Sequence, residues 1–242
     1  MTAHKIVLLV LDGVSDRPCA ALGGKTPLQA ASTPSLDRLA AEGVCGIMDT
    51  IAPGIRPGSD TSHLALLGYP PEKYYTGRGP LEAEGTGIHM KKGMIGFRGN
   101  YATLEKGVIM DRRAGRIHDT EALSRAVQEG VDLSSHGVQF QFKSGAGHRA
   151  ALAFSGEGLG PCISSNDPKK EGVPPMDIRP LTDRATDAKT ALVARDFVRQ
   201  AHEILKNHPI NEDRKKNGLP PANIILIRGG GEMGHFERFS EK

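Results

Sequence analysis

Three segments of the chain carry the clearest hydrophobic patterns. Ile6 to Leu11 is an unbroken apolar run, which predicts a strand buried on both faces of a parallel sheet. Asn223 to Ile227 repeats that pattern near the other end and predicts a second buried parallel strand. Between Thr186 and Lys206, apolar residues such as Ala191, Leu192, Phe197, Val198, Ala201 and Leu205 recur at helical spacing. They predict one long helix whose stripe is core, ended by Pro209 and followed by a charged loop over 211–218.

Weaker patterns fill the interval. Thr26-Pro27 and Thr33-Pro34 each read as a helix start, a capping threonine with proline in the first turn, and Gly43 closes the second helix. Gly46 to Met48 predicts a short strand, Thr120 to Val127 a capped amphipathic helix, and Val138 to Phe142 a half-buried strand of period two. Residues 91–182 are rich in glycine and short alternating runs, so they predict an α+β domain inserted into an α/β core. The resulting division is 1–90 as the first part of the core, 91–182 as the insertion and 183–242 as the return to the core.

Composition narrows the function classes. The 242 residues are 38% hydrophobic and 24% charged, with a formal net charge of +3. That charge is too small, and basic runs too short, to predict a nucleic-acid partner. The apolar run at residues 6–11 is too short for a membrane span or a signal sequence. Cys19, Cys45 and Cys162 are scattered, which fits free thiols in a reducing compartment and predicts a cytoplasmic chain.

Two polar residues stand where α/β proteins gather ligands. Asp12 follows the first predicted strand and either caps a turn with Gly13 or holds a ligand. Ser59 follows Pro57-Gly58 and opens a helix, where free N–H groups favour an anion. By itself Ser59 reads first as an ordinary N-cap. Basic residues collect near later turns: Arg112, Arg113 and Arg116, then His148 and Arg149, and finally Arg228 at a strand end. Guanidinium forks bind phosphate and carboxylate, although such a cluster is also consistent with a solvated basic face. Asp111 is placed to orient an arginine or accept a hydroxyl, and Gly229 to Gly231 permit close approach of a phosphate. Glu232-Met233-Gly234-His235 reads as a surface segment carrying an ordinary histidine.

The wording of several motifs goes further. Leu-Asp-Gly-Val-Ser-Asp-Arg-Pro at 11–18, Thr-Pro-Leu-Gln-Ala-Ala-Ser-Thr-Pro-Ser-Leu-Asp at 26–37, Gly-Ser-Asp-Thr-Ser-His-Leu-Ala-Leu-Leu-Gly-Tyr at 58–69 and Gly-Arg-Gly-Pro-Leu-Glu-Ala at 77–83 resemble the archaeal-type cofactor-independent phosphoglycerate mutases of the alkaline phosphatase superfamily. The similarity continues through 111–117, His148-Arg149, Asn166-Asp167-Pro168 and 223–231. It implies an alkaline-phosphatase-like parallel-sheet core, incomplete here, with an inserted domain. It implies interconversion of 3- and 2-phosphoglycerate without 2,3-bisphosphoglycerate, at a site of two divalent ions (Mn, Mg or Zn). Ser59 would be the nucleophile and a metal ligand, and Asp12 a metal ligand, with Asp111, Arg112, Arg113, Arg116, His148, Arg149 and Arg228 against the substrate. The family's remaining metal ligands lie beyond the matched motifs, so the chain is expected to be part of a longer enzyme and inactive alone. A metal-dependent phosphomonoester hydrolase, another phosphomutase of the superfamily, or a non-catalytic binding half are the alternatives.

Overall fold

A computed structural model describes residues 5–241. The chain divides into two compact units, Met1–Pro71 and Glu72–Lys242.

The first unit is helical. A 3-10 turn at Ala20–Leu22 precedes α1 (Pro27–Ala30) and α2 (Pro34–Glu42), and α3 (Ser59–Leu66) follows a loop. Thr26 and Gln29 form a reciprocal capping box at α1: the Gln29 N–H donates to Thr26 Oγ1 (3.2 Å) and the Thr26 N–H to Gln29 Oε1 (2.9 Å). At α2 the Thr33 hydroxyl instead donates to Asp37 Oδ1 (3.2 Å) and leaves the backbone uncapped. Gly58 occupies the N-cap of α3, so Ser59 is its first helical residue rather than its cap.

Two strand expectations fail here. Ile6 to Leu11 forms no strand, and its side chains are 41% to 96% exposed. Gly46 to Met48 is likewise unpaired. A strand exists only through hydrogen bonds to a neighbour, and the unit offers the apolar run no partner among the described residues.

The second unit is built around β1 (Ile95–Glu105). Helices α4 (Pro71–Tyr74) and α5 (Arg78–Gly85) lead into it. After it come β2 (Val108–Asp111), a 3-10 turn at Ala114–Arg116, α6 (Glu121–Gly130), β3 (Val138–Ser144), β4 (Arg149–Gly156), α7 (Ala185–Lys206), α8 (Pro209–Lys216) and β5 (Ile224–Gly231). The five-stranded sheet runs β2-β1-β4-β3, with β5 also paired to β1. Every pairing among the described strands is antiparallel. The architecture is therefore mixed α/β, but the expected parallel sheet is absent among the described residues. The buried strand at 223–227 does form, yet β5 returns alongside β1 in the opposite direction.

Strand alternation creates two faces. Phe97 and Tyr101 of β1, Leu152 and Phe154 of β4, and Ile225 and Ile227 of β5 join Leu123 and Val127 of α6 and Ala194, Phe197 and Ala201 of α7 in the main core. The helical stripe read from 186–206 is thus core. On the other face α5 lies unusually close to β1: a Cβ on Gly79 would fall 2.1 Å from the Gly96 carbonyl oxygen, so only glycine fits there. The glycines at 229–231 serve similar contacts. A Cβ on Gly231 would sit 2.4 Å from the Thr76 oxygen.

The charged loop expected over 211–218 is mostly helix. Pro209 opens α8 at its first position instead of only stopping α7, with the His208 ring accepting from the Ile210 N–H (3.3 Å). Asn211 is buried and anchors the helix through Leu205 O (2.8 Å), Ala222 O (3.0 Å) and the Ala222 N–H (2.7 Å). Polar periodicity alone hides that anchor. Thr120 precedes α6 without capping it; its hydroxyl donates to Gly147 O at 3.4 Å.

Candidate functional site

The second face of the sheet carries a polar patch where the first carries core. Residues alternate in β1 so that Arg98 and Asn100 point opposite to Phe97 and Tyr101. The antiparallel register sets Arg98 against Arg228 of β5 and Asn100 against Arg149 of β4. Three adjacent strands thus bring their polar residues to one place. Arg112 and Arg113, just past β2, and His148, just before β4, complete the walls of a cavity of about 220 Å³.

Asp167 organises this patch from below. It is 1% exposed and takes a two-pronged hydrogen bond from Arg112, Nε to Oδ1 at 2.9 Å and Nη2 to Oδ2 at 2.7 Å. Arg228 Nη1 donates to the same Oδ2 at 3.1 Å. Asp167 is itself held by the neighbouring Ser165 and Asn166. Ser165 donates to Ile227 O (2.8 Å), and Asn166 donates to Ile225 O (3.0 Å) and accepts from the Ile227 N–H (2.7 Å). Asn166 so satisfies the free edge of β5 much as another strand would.

The electrostatics follow from burial and like charge. Arg98 is 5% exposed, and burial pushes its guanidinium down to about 10 against the pull of Glu82, with Arg78, Arg228 and Arg149 adding repulsion. Burial also lowers Arg228, partly offset by Asp167. Burial alone would raise the Asp167 carboxyl, but hydrogen bonds from Arg112 and the Lys169 N–H, with the charges of Arg112 and Arg228, hold it below the usual carboxylate range. His148 falls to about 4, first through burial and then through Arg113, Arg149 and Arg98. It is neutral at pH 7. Five arginines around one small cavity, with one buried carboxylate among them, concentrate positive charge of the kind that suits a ligand bearing more than one negative group.

Of the residues singled out in the sequence, Arg112, Arg113, His148, Arg149 and Arg228 line this cavity. Arg116 does not; it is exposed, in the 3-10 turn, with φ 56°. Asp111 accepts from the backbone N–H groups of Arg113 (2.6 Å) and Gly115 (2.8 Å), and so shapes the turn that presents Arg112 and Arg113. Arg98, Asn100 and Asp167 were not singled out. Arg98 had a signal, a charge inside the apolar alternation of Gly96-Phe97-Arg98. Asp167 had none beyond its motif.

Asp12 and Ser59 belong to the first unit. Ser59 Oγ donates to Asp12 Oδ2 at 3.3 Å, both residues being exposed. The His63 ring contacts the Ser59 carbonyl oxygen at 2.5 Å, one turn on. Among the described residues no group of three or more His, Cys, Asp or Glu could hold a metal ion. Two oxygens do not fix one divalent ion, still less two, so these residues alone do not fit a two-metal centre.

The family model described as 2,3-bisphosphoglycerate-independent phosphoglycerate mutase matches residues 40–211. A protein of that name from Methanoculleus marisnigri is 66% identical over 243 residues, an alignment covering 100% of this chain and 59% of the relative. One from Archaeoglobus fulgidus is 52% identical, covering 98% and 58%. The solved cofactor-independent phosphoglycerate mutase from Thermoplasma acidophilum superposes with a TM-score of 0.64 at 46% identity, covering 96% of this chain and 60% of that one. The chain spans about 59% of the length of the first of these relatives.

Proposed function

Because the chain belongs to the 2,3-bisphosphoglycerate-independent phosphoglycerate mutase family, we propose that it carries the serine nucleophile and the substrate pocket of an enzyme interconverting 3- and 2-phosphoglycerate in glycolysis and gluconeogenesis. The observation that carries this reading is the arginine-lined cavity, whose charge and size suit a small molecule bearing both a carboxylate and a phosphate. Arg112 and Arg228, locked by Asp167, would orient the anionic groups, and Arg98, Arg113 and Arg149 would neutralise them. Asp111 and Arg116 contribute from the adjoining turn.

In this mechanism Ser59 Oγ attacks the phosphorus of bound 3-phosphoglycerate, the bond to the 3-oxygen breaks, and a phosphoserine and glycerate result. The glycerate 2-oxygen then attacks the phosphoserine, and the serine oxygen leaves. Phosphoryl is conserved within the pair of steps, so no 2,3-bisphosphoglycerate is consumed. Asp12 orients the Ser59 hydroxyl; the serine proton passes to the departing 3-oxygen in the first step, and the proton of the 2-hydroxyl passes to the departing serine oxygen in the second. Divalent ions (Mn, Mg or Zn) would supply Lewis acidity, with Asp12 and Ser59 as two of several ligands. Because those two do not suffice, the chain by itself is proposed to bind substrate without turning it over.

Residues 91–182 are proposed as an insertion in the chain between 1–90 and 183–242, its strands β1 and β4 sharing one sheet with β5 of the returning segment. No described helix is long and apolar enough to cross a membrane, and a cytoplasmic location without nucleic-acid partners completes the reading. Titrating the purified chain with 3-phosphoglycerate, then adding Mn²⁺ and following phosphorus NMR, tests it. Saturable binding without conversion is expected. Failure to bind overturns the pocket assignment, and turnover overturns the proposed need for further ligands.

A further inference from the structure

The cavity has many donors and few acceptors. Its five arginines accept nothing. Neutral His148 offers one ring nitrogen. The other acceptor is the side-chain oxygen of Asn100, a residue 5% exposed, and that buried oxygen receives no hydrogen bond. Two residues earlier, on the same face of β1, Arg98 is equally buried and its Nε–H is also unsatisfied, with Glu82 Oε2 at 3.9 Å. The Cα positions of the two residues lie about 7 Å apart along the strand.

Buried polar groups without partners are rare, and two in one cavity mark places where a ligand completes the hydrogen bonding. The pair has complementary demands. Arg98 asks for an anionic oxygen, whereas Asn100 asks for a donor hydrogen. A ligand made only of carboxylate and phosphate meets the first demand and leaves the second unmet. Both phosphoglycerate isomers carry, besides their two anionic groups, one free alcohol hydroxyl.

We infer that Asn100 is a specificity-determining residue that accepts a hydrogen bond from the free hydroxyl of the substrate, while Arg98 Nε–H donates to one of its anionic groups. The inference rests on reading the cavity as the phosphoglycerate pocket. It makes the site selective for hydroxylated phospho-acids over deoxy analogues of equal charge, because a missing hydroxyl leaves the buried Asn100 oxygen unpaired.

Calorimetric titration of the full chain with 3-phosphoglycerate and with 3-(phosphonooxy)propanoate, which lacks only the hydroxyl, tests this. The wild-type chain is expected to bind the hydroxylated ligand about 10- to 100-fold more tightly. Asn100→Ala should bind the two within about twofold of each other, and Asn100→Ser, which keeps an oxygen, should retain part of the preference. Equal wild-type affinities would overturn the role of Asn100 and leave the pocket reading standing. No binding of either ligand would overturn both. The wild-type comparison decides the matter even if the variants fold poorly.

Discussion

Arg98 and Arg228 face each other directly across the β1–β5 pair, Arg98 almost wholly buried. Like charges opposed across a ladder destabilise it, and burial aggravates the repulsion. The sheet therefore holds a strained pair of cations at the cavity, which an anion relieves. Arg98→Met should raise the unfolding free energy by about 1 kcal/mol in buffers free of sulfate and phosphate, measured by urea titration. Saturating sulfate should reverse the order, because the wild type, with all five arginines, binds the anion more tightly than the variant and gains more from it. A variant less stable than wild type without anion would contradict this.

Asp167 sits at the opposite end of that balance, as the buried carboxylate that holds Arg112 and Arg228. Asp167→Ala leaves two cations without their partner and should cost about 2–4 kcal/mol of stability. Affinity for 3-phosphoglycerate should fall at least tenfold as the forks lose their orientation. Unchanged affinity in a folded variant would remove Asp167 from the positioning of the site.

His148 gives the site a pH dependence. Its folded value of about 4 lies below the ordinary 6.5, so between those values the unfolded chain binds the proton more readily. Its contribution to stability is present above about pH 6.5 and is lost as pH falls toward 4. Because the ring is half-exposed, the loss should be about 1 kcal/mol after screening. A bound anion favours the imidazolium, so affinity for sulfate, whose own charge is constant over this range, should rise as pH falls. Chemical unfolding and sulfate titration of wild type and His148→Gln at several pH values check both signs; identical profiles would exclude His148.

The apolar run from Ile6 to Leu11 has its own consequence. Six apolar side chains, from 41% to 96% exposed, form a patch that soluble proteins seldom leave uncovered. The chain should bind a hydrophobic dye and self-associate at micromolar concentration, and Leu9→Lys should reduce dye fluorescence and association at least twofold. Light scattering and fluorescence titration would show whether the variant differs.

The features legible along the chain are local or carried by motif wording. The long apolar helix, the Thr26 cap, the strand at 138–142 and the basic residues near turns all follow from spacing and residue type within short windows. Partnership between distant segments came from the fold. Apolar runs at 6–11 and 223–227 look alike in sequence, yet the first is unpaired here and the second is a central antiparallel strand. Arg98, Asn100, Arg149 and Arg228 become one site through strand register alone, which depends on pairs of residues far apart in the chain. Asp167 gains its role because Asn166 and Ser165 fasten its loop to the edge of β5. Hydrogen bonds of that kind depend on which segments meet, and no local pattern encodes the meeting.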